Sequence, residues 1–200
     1  PDFGGRERDL YDNEVHYTDL YVGKLLSWAA EQPWWDKTAV IISADHGEAF
    51  GEHGMMQHAH ELYEELVRVP LLVRVPGVEP RRISTPHTHL DLAPTILELM
   101  GQEALAGFAG ESLVAELDGK PGKAKPIVLE LAADNVQPAR RAVVDGDWKL
   151  IRFGDKAGPE KLFNLKDDPS EKKDLAKGEP SKLAEMRRLT FWETGLLGAS

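Results

Sequence analysis

The segment Ala39-Val-Ile-Ile-Ser-Ala-Asp-His-Gly-Glu48 decides the fold that we predict for this chain. Residues 39–44 are a short, β-branched apolar run, too brief for a helix, that stops at Asp45, His46 and Gly47. A buried strand ends in a polar turn in this way. In open α/β sheets, ligands bind at the carboxyl ends of strands. A carboxylate beside an imidazole at such an end indicates a divalent-metal and anion site, so we expect the chemistry here.

The composition excludes several classes of function. The 200 residues carry a formal net charge of −10, which argues against nucleic acid as a partner. Cysteine is absent, so disulfides, thiolate zinc sites and a cysteine nucleophile are excluded within this sequence. No run of about 18 apolar residues and no signal-peptide pattern occur, so we expect no membrane segment in this chain. We expect an extracytoplasmic location, periplasmic or secreted, although missing cysteine fits either redox compartment, and the sequence indicates no oligomeric state.

The first part of the chain alternates helix and strand patterns. Apolar residues at helical spacing from Leu10 to Ala30 predict an amphipathic helix packed on a sheet. Asp91 is the predicted N-cap of a later helix that Gly101 closes. We predict an α/β core over residues 1–125, with a mostly parallel sheet flanked by helices. The predicted elements of this core are helices 10–30, 61–67 and 92–100 and strands 39–44 and 69–75.

Residues 126–200 have a different pattern of predicted elements. Short β runs follow one another without helices between them, which predicts an antiparallel sheet. Asp145-Gly146 is the predicted hairpin turn between two of these strands. We therefore predict a small C-terminal antiparallel β subdomain over residues 126–200, with a terminal helix. Its predicted elements are strands 127–131, 142–144, 148–153 and 162–164 and a helix over about 180–192.

Histidine is confined to the first half of the sequence, where all seven imidazoles lie between residues 16 and 89. His53, His58 and His60 sit in a loop with glycine and methionine, where the backbone can approach a ligand closely. We select His58 as the catalytic candidate, because an imidazole there can neutralise an oxyanion or protonate a leaving oxygen. His53 and His60 are candidate substrate-side residues. For the three loop histidines, the alternative is a solvated loop with no function. For Asp45 and His46, the alternative is an aspartate that caps a helix and a histidine hydrogen-bonded to it.

Blocks of sequence in a fixed order resemble the C-terminal half of a sulfatase of the alkaline phosphatase superfamily. The match extends over nearly the whole chain. The blocks are Ser43-Ala-Asp-His-Gly-Glu48, Gly51-Glu-His-Gly54, Leu62-Tyr-Glu-Glu65, Arg68-Val-Pro-Leu71, Asp91-Leu-Ala-Pro-Thr-Ile-Leu-Glu-Leu99, Arg141-Ala-Val-Val-Asp-Gly-Asp-Trp-Lys-Leu-Ile-Arg152 and Leu162-Phe-Asn-Leu-Lys-Asp-Asp-Pro169.

The resemblance implies a divalent metal, usually calcium and in some relatives manganese. In the family this metal is held by two acidic residues from an earlier strand and by a second pair of ligands. The resemblance places Asp45 and His46 at the positions of the second pair. His58 falls where the family places a lysine or histidine that contacts the sulfate near the leaving oxygen. An imidazole at the metal is also similar to phosphonate monoester and phosphodiester hydrolases. The implied substrate is a sulfate ester or a phosphate or phosphonate ester.

The chain departs from the family at the nucleophile. The family's formylglycine arises in a Cys/Ser-x-Pro-x-Arg motif that precedes this region, and no such motif is present. Ser84-Thr-Pro-His-Thr88 and Gln137-Pro-Ala-Arg140 match it only in part and lie downstream of the metal pair. The first acidic pair is missing too. We therefore expect a C-terminal fragment whose partner is the missing N-terminal half, and we expect the chain alone to be inactive.

Four hypotheses follow. The first is a metal-dependent sulfuric ester hydrolase. The second is a phosphonate monoester or phosphodiester hydrolase, or a related phosphoryl-transfer enzyme, of the same superfamily. The third is a non-catalytic metal-binding or interaction domain. The fourth is a complete zinc hydrolase, which needs three protein ligands, and no His-Glu-x-x-His helix is present.

Overall fold

The computed structural model describes residues 3–58, 60–103, 105–135, 137–154 and 158–189. Where both ends are described, the predicted elements begin and end within about three residues of their predicted bounds. Short elements at residues 49–50, 56–57 and 114–117 were not predicted. The helices are α1 Glu7–Ala30, α2 Glu64–Val67, α3 Leu92–Leu99, α4 Val114–Leu117 and α5 Pro180–Leu189. The strands are β1 Val40–Ser43, β2 Ala49–Phe50, β3 Met56–Gln57, β4 Leu71–Arg74, β5 Ile127–Leu131, β6 Arg140–Asp145, β7 Trp148–Phe153 and β8 Glu160–Asn164.

The first sheet consists of β1 and β4, and their pairing is antiparallel, from Val40 opposite Arg74 to Ser43 opposite Leu71. The predicted α/β class is confirmed, but the mostly parallel pairing is wrong for these two strands. A parallel pair needs a crossover, usually a long helix. Between β1 and β4 the chain forms only the four-residue α2 and the short β2–β3 hairpin. The strand predicted as buried is half-buried in the part of the chain that the structure describes.

The long helix α1 forms as predicted, but its predicted packing on the sheet is wrong within the described residues. Five of its apolar side chains retain between 46% and 58% of their accessible surface. Only Asp9 and Ala29 of this helix are buried. At its start, the backbone N–H and the guanidinium of Arg6 both donate to Asp9 Oδ2, at 3.1 and 2.9 Å. The spacing of apolar residues along a helix predicts which face favours burial. It does not predict which other part of the protein covers that face. The five apolar side chains of α1 with 46% to 58% exposure are Leu10, Val15, Leu20, Leu25 and Trp28.

The C-terminal sheet has the order β5-β6-β7-β8, with every pair antiparallel, as predicted. Asp145 pairs with Trp148 across a two-residue turn, where Gly146 has a φ of 56° that favours glycine. One face of the sheet packs against Met186 of α5. The other packs against Leu62 and Tyr63, which precede α2. The predicted end of the last helix beyond residue 189 lies outside the described residues, and the division at residue 125 stays a prediction.

A buried ion cluster joins α2 to the C-terminal sheet. The side chain of Lys149, on β7, is 0% exposed. Its Nζ donates to Glu64 Oε1 at 2.9 Å and lies 3.0 Å from Glu171 Oε1. Glu171 Oε2 accepts a hydrogen bond from the backbone N–H of Glu64 at 2.6 Å. Burial raises the pKa of Glu171, although the ammonium beside it acts in the opposite direction.

Asp91 has a different role from the predicted one. Its side chain does not cap α3. The carboxylate instead accepts hydrogen bonds from the backbone N–H groups of Thr88 and Glu111, both at 2.9 Å, and from Lys125 Nζ at 3.2 Å. Asp91 thus ties the turn before α3 to the connection after it. Gly101, with a φ of 70°, ends the helix as expected. No helix among the described residues is long and apolar enough to cross a membrane.

The Lys149→Met variant should lose about 3–5 kcal/mol of unfolding free energy, because two carboxylates would stay buried without their counter-charge. Chemical denaturation of the 200-residue chain measures this loss. Lys182→Met is the matched control, since Lys182 pairs with Glu185 at 2.8 Å near the surface. We expect that substitution to cost less than about 1 kcal/mol. Equal losses in the two variants would contradict the buried role of Lys149.

The stability of the chain at acid pH should depend on Asp91. Burial acts to raise its pKa, but the hydrogen bonds from Thr88, Glu111 and Lys125 outweigh burial and lower the pKa. A carboxyl group of this kind stabilises the fold above its unfolded pKa, and the contribution is lost as pH falls through the folded pKa. Asp91→Asn should therefore destabilise the chain at neutral pH, and less so below the ordinary aspartate range. Denaturation at stepwise lower pH measures the difference, and a pH-independent difference would be contrary evidence.

Candidate functional site

The turn after β1 is held in place by its contact with α2. The backbone N–H of Gly47 donates to the carbonyl of Leu66 at 2.7 Å. A Cβ atom at Gly47 would lie 1.9 Å from the carbonyl oxygen of Glu65, so only glycine fits this approach. Asp45 and His46 precede this contact directly. The position of α2 therefore sets the position of the predicted metal ligands.

Asp45 and His46 present two donor atoms on the same side of the turn. The Asp45 side chain is 90% exposed, and its Oδ2 lies 3.8 Å from His46 Nε2. The backbone N–H of His46 donates to Asp45 Oδ1 at 3.0 Å and lowers the pKa of Asp45, so this carboxylate is ionised at neutral pH. His46 Nδ1 lies 2.8 Å from the carbonyl oxygen of Gly47. A carbonyl only accepts, so Nδ1 carries a proton, and in the neutral ring Nε2 has the lone pair.

His58 lies against His46. The two imidazole rings are 4.2 Å apart between centroids and 31° from parallel. Glu48 Oε2 lies 3.1 Å from His58 Nδ1, so the carboxylate accepts the Nδ1 proton and Nε2 is left for another partner. Sequence reasoning missed this role of Glu48. Its place three residues after Asp45 in the strand-end motif was the available signal. We call Asp45, His46, Glu48 and His58 the strand-end site.

The contacts of the other two predicted residues are elsewhere. His53 stacks on Tyr63 at 3.7 Å between ring centroids, with the planes 4° apart, and its Nε2 lies 3.6 Å from Glu65 Oε1. His60 Nδ1 lies 2.8 Å from Gln137 Nε2, in the connection before β6. No described contact joins either residue to the strand-end site. Their assignment to the substrate side stays a prediction.

The donors of the strand-end site fit a divalent cation in part. One carboxylate oxygen and one imidazole nitrogen with a lone pair are ligands that calcium, manganese or zinc accepts. Among the described residues, no third carboxylate or imidazole offers an atom within 4.8 Å of both. Two protein donors leave most of the coordination to water or to residues from elsewhere. The resulting site is incomplete but chemically consistent.

An α/β framework with a carboxylate and imidazoles at a strand end is typical of metal-dependent hydrolases. Comparison with known proteins identifies the family: the sulfatase profile matches residues 2–102. The chain belongs to the sulfatase family.

Individual relatives agree with the family match. The chain is 32% identical to the choline-sulfatase of Rhizobium meliloti over 174 residues, which are 86% of this chain and 33% of that protein. It is 33% identical to the delta 4,5-hexuronate-2-O-sulfatase of Bacteroides thetaiotaomicron over 187 residues, 87% of this chain and 39% of that protein. The chain thus spans a third to two fifths of the length of these relatives.

A solved structure shows that the fold is shared with a different hydrolase. The phosphonate monoester hydrolase of Silicibacter pomeroyi is similar to the chain with a TM-score of 0.73 and 26% identity. The similarity covers 86% of this chain and 37% of that structure. The fold by itself therefore does not separate sulfate esters from phosphonate esters as substrates.

The Gly47→Ala variant should be less stable by about 1–3 kcal/mol, because the added methyl group cannot fit beside the Glu65 carbonyl without moving α2. Chemical denaturation of both proteins measures the loss. Gly23→Ala is the control, since a Cβ atom there meets nothing within 4 Å on the exposed helix α1. That variant should gain about 0.5–1 kcal/mol. A neutral Gly47→Ala substitution would show that the turn and α2 are not in close contact.

Proposed function

We propose that the chain supplies the metal-binding and leaving-group side of a sulfuric ester hydrolase site. The observation that carries this proposal is the contact of the His46 and His58 rings, 4.2 Å apart between centroids. It puts a proton donor directly beside the predicted metal ligand, so both can act on one bound anion. Membership of the sulfatase family supports an ester hydrolase.

In this proposal Asp45 and His46 would hold a divalent cation, with the carboxylate and the imidazole as donors. Such an ion would supply Lewis-acid stabilisation of the sulfate charge. The resemblance favours calcium, with manganese as the other candidate. Imidazole suits a transition metal better than calcium, so manganese should bind somewhat more tightly here. With only two protein donors, either ion should bind weakly to this chain.

His58 acts on the leaving group. Its Nδ1 proton is directed to Glu48, so the ring presents Nε2 to the substrate side. A protonated Nε2 donates its proton to the ester oxygen as the bond to sulfur breaks, and it also interacts favourably with the anionic sulfate. The carboxylate of Glu48 stabilises the imidazolium and limits rotation of the ring.

The nucleophile belongs, in this proposal, to a segment that this sequence does not contain. Relatives are two to three times longer than the matched region, and no Cys/Ser-x-Pro-x-Arg motif occurs in the chain. We assign the formylglycine and the first acidic pair to an N-terminal half, the partner of this chain. The chain alone then lacks turnover. We propose an extracytoplasmic location for the whole protein.

Phosphonate monoester hydrolysis is the second candidate. It is favoured by the imidazole at the metal pair and by the similarity to the Silicibacter pomeroyi enzyme. The ratio of kcat/KM for an aryl sulfate and an aryl phosphonate, measured on one preparation, decides between them. A non-catalytic metal-binding domain is the third candidate, and it requires metal binding without turnover of either ester in the complemented protein.

Complementation tests the main proposal. We expect the purified chain to be inactive on p-nitrophenyl sulfate and to become active when co-expressed with an N-terminal half that carries Cys-x-Pro-x-Arg. Asp45→Ala and His46→Ala should then abolish metal binding at the strand-end site, and turnover with it. His58→Ala should spare the metal and lower kcat by about 10²–10⁴-fold, the usual contribution of a general acid.

The control for these variants is His16→Ala, because His16 lies on α1 with its ring beside Phe3. Calorimetric titration with manganese and calcium and steady-state kinetics are the measurements. Substrates with poorer leaving groups should lose more rate in His58→Ala, since proton donation matters more to them. If His46→Ala binds metal as well as the parent, or His58→Ala loses the metal, the two roles are assigned wrongly.

A further inference from the structure

A second group of metal-binding side chains lies apart from the strand-end site. His53, Glu65 and Glu171 each offer one ligand atom, and these three atoms lie within 4.8 Å of one another. We call them the buried cluster. They come from three separate parts of the chain: the turn after β2, helix α2, and the segment between β8 and α5. Their convergence is therefore a product of the tertiary fold.

The imidazole of His53 is held rigidly. Its ring stacks on Tyr63, and its side chain is 14% exposed. Its backbone is left-handed, with a φ of 53°, a conformation that histidine adopts more readily than most side chains. His53 Nε2 lies 3.6 Å from Glu65 Oε1, too far for a hydrogen bond but close enough for both atoms to bind one ion.

One carboxylate oxygen in the buried cluster lacks a hydrogen bond. Glu65 Oε1 is buried without a hydrogen-bond partner. Glu171 is 2% exposed, and its Oε1 lies 3.0 Å from Lys149 Nζ in an ion pair. Lys149 Nζ also donates to Glu64 Oε1 at 2.9 Å. Buried polar atoms without a hydrogen bond are rare in folded proteins and call for a ligand or an ion.

The charges around the buried cluster do not balance. One ammonium, on Lys149, faces three carboxylates: those of Glu64 and Glu171, in direct contact, and that of Glu65 beside them. The nearby Lys161 donates to the hydroxyl of Tyr63 at 2.9 Å and not to a carboxylate. The carboxyl groups thus outnumber the ammonium group by three to one, and a divalent cation would neutralise the surplus negative charge.

We propose that His53 Nε2, Glu65 Oε1 and Glu171 Oε1 bind a divalent transition-metal ion, zinc or manganese. One nitrogen and two oxygen donors suit these ions better than calcium, which takes six to eight oxygens. The ion cross-links the turn after β2, α2 and the segment after β8, so it stabilises the junction on which the strand-end site rests. This site is independent of the proposed sulfatase activity. The competing occupant is a proton on His53, which pairs the imidazolium with Glu65.

Calorimetric titration of the full chain, stripped with a chelator, tests the proposal with zinc and manganese. The parent should bind one ion more tightly than the strand-end site can. His53→Ala and Glu65→Gln should weaken that ion by about 100-fold or more, since even partners outside the ligand shell commonly change affinity 10- to 100-fold. Glu171→Gln is unsuitable, because Glu171 also accepts the Glu64 N–H.

Two controls separate this site from others. The double variant Asp45→Ala/His46→Ala removes the strand-end donors and should retain the tight ion. His87→Ala removes an imidazole that contacts Glu116 at 2.7 Å in another partly buried cluster, and it should also retain the ion. Thermal unfolding with and without metal provides a second readout, and the ion should raise the Tm of the parent but not of Glu65→Gln. Absence of a tight ion in the parent, or its loss in the Asp45→Ala/His46→Ala variant, would overturn the proposal.

Discussion

Lys149 carries its ammonium into the interior of the C-terminal sheet, where the carboxylates of Glu64 and Glu171 face it at 2.9 and 3.0 Å. A buried charge of this kind is tolerated only with its partners in place, because each isolated ion would lose its hydration without compensation. Strand β7, helix α2 and the segment after β8 are therefore locked to one another. The apolar contacts of Leu62 and Tyr63 with the same sheet act at the same junction.

The position of the strand-end site depends on this junction between β7, α2 and the segment after β8. The Leu66 carbonyl of helix α2 accepts a hydrogen bond from the backbone N–H of Gly47. The turn that carries Asp45 and His46 therefore lies directly against this helix. The C-terminal sheet thus fixes, through α2, the turn that carries the predicted metal ligands. This arrangement gives the C-terminal sheet a positioning role, which is consistent with rigid elements supporting a precise site. The four-residue helix between them is too short to be stable by itself and depends on its tertiary contacts.

The two halves of the strand-end site have complementary chemistry. Asp45 and His46 offer an ionised carboxylate and an imidazole lone pair, which favour a cation. His58, oriented by Glu48, offers a proton, which favours an anion. In the proposed function they act together on one ester, and the choice between sulfate and phosphonate depends on groups that the shared fold leaves variable.

The sequence by itself determined most of the elements and indicated a candidate site at the end of β1. Strand β1, the β6–β7 hairpin and α5 follow from short-range patterns, because propensity and turn chemistry are local properties. Only the tertiary structure decided the antiparallel pairing of β1 with β4, the exposure of α1, and the partners of Asp91, Glu48 and His53. Those features depend on which distant surfaces and charges meet, as Glu64 meets Glu171 across 107 residues, and no local pattern encodes such a meeting.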